Sequence, residues 1–232
     1  MTYGGCGERP DVKSREATHE SKATTAPMPA KRTRFPGWVR WGAIVWLAFW
    51  IPVYWRAWGA ANFVHLCDIA VILTCIGLWT NNALLISSQA VSALVVDVMW
   101  SLDAISAAAL GRHIFGGTEY LFDPSHALWV RMISLYHVAI VAVLLWALSR
   151  AGYDRRGWAL QAWIVAAAFV AARFTPAVQN INFAYQLPVV DKPFGAAPLH
   201  VAASVAFMIF VVYWPTHRAL RKIFPAAVGA KT

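Results

Sequence analysis

The sequence predicts an all-α protein, a polytopic membrane helix bundle of about six transmembrane helices with both termini cytoplasmic. Three observations lead there. Of the 232 residues, 59% are hydrophobic and only 13% charged, and the mean hydropathy is +0.51, which no ordinary soluble composition matches. Six segments approach the roughly 20 apolar residues that a spanning helix needs. Basic residues fall mostly at alternate ends of those segments, as the positive-inside rule requires.

Residues 1–34 hold seven Lys/Arg and four Asp/Glu with no apolar run. They can bury little, so they are expected to form a disordered basic tail without a signal peptide. Cys6, in Gly-Gly-Cys-Gly, has no hydrophobic segment before it and reads as an exposed thiol rather than a lipoprotein acceptor. The bundle proper is expected over 35–217, followed by a short basic cytoplasmic tail over 218–232. The three cysteines, Cys6, Cys67 and Cys75, show no Cys-x-x-Cys spacing, which argues against a disulfide framework.

The expected spans are 37–57, 61–80, 83–111, 128–149, 157–175 and 197–215. Gly59, Asn81-Asn82, Gly116-Gly117 with Asp123-Pro124, Gly152-Tyr153-Asp154, and the connection from Pro176 to Pro198 separate them. Pro52 is expected to kink the first helix. With the amino terminus inside, the inner flanks carry Lys31, Arg32, Arg34, Arg40, Arg150, Arg155, Arg156, Arg218, Arg221, Lys222 and Lys231. The outer side keeps only Arg56, Arg112, Arg131, Arg173 and Lys192. The net charge of +9 therefore faces anionic lipid headgroups rather than nucleic acid. Tryptophans near the span ends, among them Trp38, Trp41, Trp55 and Trp129, read as an interfacial aromatic belt.

Within this frame the chemically capable side chains crowd the outer half. The stretch Asn62-Phe-Val-His-Leu-Cys-Asp68 brings His65, Cys67 and Asp68 to the mouth of the second span. Arg131, Ser134 and His137 open the fourth. Asp103 lies toward the outer end of the third, His200 just inside the sixth, and Asn180 and Asn182 in the last outer connection. Asp97 is deeper, and it shares a helix face with Trp100 that cannot look at lipid. Ionisable groups in hydrocarbon are costly and mark functional sites. At about 1.5 Å per residue, Cys67 lies roughly 9 Å and His137 roughly 13 Å along their helices, so the two can share a level.

The motifs from Asn62 to Asp68, Thr118 to Pro124, Ser134 to His137, Gly152 to Arg156 and Asn180 to Phe183 resemble those of a group of largely uncharacterised bacterial six-helix integral membrane proteins. More distantly, His-x-Cys on one helix and His on a later one is similar to a six-helix family that includes proposed intramembrane acyltransferases. That likeness implies Cys67 as nucleophile and His137 as its base, a pairing that makes chemical sense because imidazole can generate a thiolate.

The first functional expectation is thus a multi-pass protein of the bacterial inner membrane that modifies lipids as an acyltransferase or hydrolase. His65, Asp68, Asp97, Asp103, Arg131, Ser134, Asn180, Asn182 and His200 would form the polar surroundings of Cys67 and His137. The second is a small transporter or proton relay on Asp68, Asp97, Asp103 and His137, against which stand the absence of an internal repeat and of polar residues in the inner half. Metal or haem binding by His65, Asp68, Asp103, His137 and His200 comes third, without a tight ligand spacing to support it. A non-catalytic membrane subunit is the fourth. Membrane lipids are the expected partners, nucleic acid is not, and a membrane partner protein or a homo-oligomer is left open. No motif names a cofactor.

Overall fold

The computed structural model describes residues 34–188, 190 and 192–227; the expected tail over 1–34, Arg34 excepted, lies outside them. The described residues are helical, without a strand, and one isolated backbone bridge joins Tyr153 to Ala226. Six helical rods follow in order: α1 (Gly37–Trp58), α2 (Leu66–Thr80), α3 (Ala83–Leu110), α4 (Leu128–Ala151), α5 (Gly157–Ala172) and α6 (Ala197–Ile223). Of these, α3, α4 and α6 are long and apolar enough to cross a membrane, and α2 and α5 are shorter apolar helices.

The boundaries have local causes. Asn81 takes a left-handed conformation (φ 54°) and ends α2. The Asn82 N–H returns to the Gly77 carbonyl at 2.9 Å, while the Asn82 side chain accepts from Leu84 and Leu85 at 3.0 and 3.2 Å and opens α3. Two adjacent asparagines thereby stop one helix and start the next. Gly111, at φ 67°, ends α3. α1 continues through Pro52 to Trp58. α4 loosens at Ser134-Leu135 before continuing as a regular helix from Tyr136. α6 contains a π-helical stretch, Met208–Tyr213, and runs on to Ile223. Beyond it the chain turns back, and the Tyr153 N–H donates to the Pro225 carbonyl at 2.8 Å.

α3 is the central rod and packs against α2, α4, α5 and α6. Its neighbours approach closely where they carry glycine. A Cβ on Gly157 would lie 2.8 Å from Ser87, and one on Gly77 would lie 2.9 Å from Ile86. Around this centre the buried residues include Trp50, Ile86, Val91, Leu144, Leu148 and Val165. The outward surface is apolar as well, with Trp38, Val45, Ile105, Leu110, Trp163, Phe174 and Phe210 all exposed. A surface so continuous in large apolar groups suits lipid rather than water.

Candidate functional site

Gly77 meets Ile86 where α2 and α3 run antiparallel. Counting back along α2 and forward along α3 puts Cys67 level with Val96, beside Asp97. α4 comes to the same level through His137, whose Nδ1 lies 2.6 Å from Asp97 Oδ1 with both side chains buried. The imidazole is clamped in place by Trp100 on one helix and Tyr136 on its own, each with a ring centroid 4.2 Å away. In the tautomer whose Nδ1–H donates to the carboxylate, Nε2 carries the lone pair. An imidazole oriented by a buried carboxylate is the base half of a nucleophile–His–Asp arrangement.

Asp68, on the first turn of α2, is held separately. The Tyr136 hydroxyl donates to its Oδ1 at 2.7 Å and the Asn62 amide donates to its Oδ2. Cys67, half-buried on the second position of α2, shares the space with Asp68, Asp97 and Tyr136. No hydrogen bond joins Cys67 to His137 among the described residues. His65 caps α2 as its flanking residue and lies within electrostatic range of His137. Ser134 is fully buried and shares a 2.7 Å hydrogen bond with Tyr54. Tyr120, in the loop between α3 and α4, reaches toward Ser134 and Trp100, and burial pushes its phenol above the usual tyrosine range, so it stays neutral.

The remaining expected site residues are occupied with the backbone. Asp103 Oδ1 accepts the N–H groups of Ile114, Phe115 and Gly116 at 2.7, 2.6 and 3.1 Å. Its Oδ2 takes His113 Nδ1 at 2.9 Å and the Thr118 hydroxyl. Asp103 is therefore the anchor of the loop after α3. His200 Nδ1 accepts from the Phe194 N–H, so its Nε2–H donates to the Phe183 carbonyl at 2.9 Å. Asn180 (φ 41°) folds its own loop by accepting from Tyr185 and Gln186. Asn182 reaches across to α2, accepting from the Leu66 N–H at 2.9 Å and donating to the Val64 carbonyl at 2.8 Å. Arg131 donates from Nη1 to the Leu121 carbonyl at 2.7 Å. These residues build and hold the cover at this end of the bundle; Cys67, Asp68, Asp97 and His137 lie beneath it.

Tyr54, Asn62, Tyr120 and Tyr136 belong to the cluster although the sequence reading did not assign them. Asn62 stood in the stretch that drew attention, and Tyr136 is next to His137. A tyrosine in an apolar run carries no charge to flag it, and only its hydroxyl partner reveals the role. No group of three or more His, Cys, Asp or Glu residues is arranged to hold a metal ion among the described residues. Comparison of the chain with protein families, curated proteins and solved structures found no match.

Proposed function

We propose that the chain is a multi-pass protein of the bacterial inner membrane, with both termini cytoplasmic, that transfers or hydrolyses a lipid acyl group using Cys67, His137 and Asp97. The observation that carries this reading is the 2.6 Å contact between His137 Nδ1 and Asp97 Oδ1. In this reading Nδ1–H donates to the carboxylate and Nε2 serves as the base, at the level of Cys67, the only half-buried thiol among the described residues, Cys75 being buried.

In the proposed step Nε2 takes the Cys67 proton as sulfur attacks the acyl carbonyl. The ester C–O bond breaks, a thioester forms and the leaving alcohol receives the proton from the imidazolium. An acceptor alcohol or water then gives its proton to Nε2, attacks the thioester and restores the thiol. Cys67 stands on the first turn of α2, whose N–H groups favour negative charge there.

An alkyne-bearing long-chain acyl thioester probe, applied to membranes containing the full chain, tests the reading. Cys67 becomes acylated, and Asp97→Asn and His137→Ala slow the labelling at least tenfold in protein that still elutes as folded. Undiminished acylation of Cys67→Ala would exclude the mechanism.

A further inference from the structure

A second polar system lies below the Cys67 level, on the side toward the Arg-rich end of α6. Ser88, Gln89 and Ser92 of α3, Gln161 of α5 and Tyr213 of α6 are all buried. The Gln89 amide donates to Ser88 Oγ at 2.8 Å and to Gln161 Oε1 at 3.4 Å, and the Gln161 amide donates to the Tyr213 hydroxyl at 3.4 Å. Tyr213 also reaches Ser92. One turn further along α6 is His217, buried, with Nδ1 2.7 Å from the Tyr153 hydroxyl. Arg155, Arg218 and Arg221 surround that end.

Between this system and Asp97 three buried polar atoms have no partner: Asp97 Oδ2, Thr74 Oγ1 and Gln89 Oε1. The Gly77–Ile86 register puts Thr74 level with Gln89, so two of the three face the same layer. Eight residues separate Gln89 from Asp97 on α3, about 12 Å of rise. Buried polar atoms left unpaired are costly unless water joins them. The apolar neighbours Ala90, Ala93 and Leu144 are buried around this layer and leave it closed to larger solutes.

We infer that a water-bridged polar track along α3 carries protons between the Asp97–His137 pair and the Tyr153–His217 pair. Each hop breaks one O–H or N–H bond and forms another. Hydroxyls of Thr74, Ser92 and Tyr213 pass the proton, and the two glutamine amides hold the waters in line. His137 and His217 are the imidazoles at the two ends. This function is separate from acyl transfer and needs no lipid substrate.

The test is proton flux into liposomes containing the purified full chain, read by an enclosed pH-sensitive dye under a potassium diffusion potential. Flux at least tenfold above protein-free vesicles is expected. Gln89→Leu brings it to background, Gln89→Glu retains it, and Tyr213→Phe, which keeps the ring and drops only the hydroxyl, lowers it at least fivefold. Wild-type flux at the protein-free level overturns the inference, as does unchanged flux in both Gln89→Leu and Tyr213→Phe. The acyl-probe experiment reads Cys67 alone, so failure of one proposal is distinguishable from failure of the other.

Discussion

Asn182 holds the start of α2 from both sides, accepting from the Leu66 N–H and donating to the Val64 carbonyl across more than a hundred residues of chain. It thereby sets where Cys67 and Asp68 emerge. Asn182→Ala removes both bonds and places a residue without a polar side chain at φ 55°. A loss of about 1–3 kcal/mol is expected, read by thermal unfolding in detergent. Asn182→Asp keeps the acceptor for Leu66 and loses the donor for Val64, and its melting temperature should fall between those of the alanine variant and the wild type.

Gly157 touches the backbone of Ser87 so closely that no side chain fits. Gly157→Ala should push α5 away from α3 and cost about 1–3 kcal/mol, the range for overpacking. Gly42, inside α1, has open space around its Cβ position, so Gly42→Ala should unfold at or slightly above the wild-type temperature. The pair of variants separates a packing effect from any general cost of altering glycine.

Asp103 gathers three backbone N–H groups, a histidine and a threonine into one carboxylate. Asp103→Ala leaves those donors unpaired beneath the loop. Limited proteolysis should then cut within 112–127 at least fivefold faster, while the pattern elsewhere stays the same. Equal cutting rates would mean that the loop is held by other bonds.

Asp154 gives the bundle a pH dependence. Burial works to raise its pKa, but the bidentate Arg156 side chain, the Arg156 N–H and the guanidinium charge outweigh burial and leave it below its ordinary 3.8. A lowered carboxylate stabilises the fold above its unfolded-state value and loses that contribution as pH falls through the folded-state value. The difference in melting temperature between wild type and Asp154→Asn should therefore be constant from pH 7 to about pH 5 and shrink below about pH 4. A difference that grows on acidification would reverse the sign of the effect.

The helical rods were largely legible because apolar runs, asparagines and glycines mark them directly. Asn81-Asn82 announces a break in sequence and makes one in space, and the expected start of every span except the second lies at the observed helix start. The second begins later, at Leu66, because Ala60–Val64 form a separate 3-10 turn. The polar residues were legible as a group but not by role. Asp97 and Asp103 look alike in sequence, yet one orients an imidazole and the other ties down a loop, because the partners come from Tyr136-His137 and from 113–118. The polar system around Gln89, Gln161 and Tyr213 was missed for a chemical reason: it is made of glutamine, serine and tyrosine, which carry no charge, and its histidine lies beyond the expected end of the last span.

The π-helical stretch in α6 carries a consequence for how the molecule could have arisen. A π turn holds one residue more than the α turn it replaces, and everything after it is rotated by about 100° relative to an uninterrupted helix. Tyr213 and His217 face α3 and α5 while Phe210 and Val211 face outward. Were the same residues to run as an uninterrupted α-helix, the tyrosine and the histidine would swing away from the glutamines, whereas deleting a single residue between Met208 and Val212 would restore a regular helix and leave both facing as they do. A one-residue insertion absorbed as a π turn in this way leaves the polar faces before and after it in place.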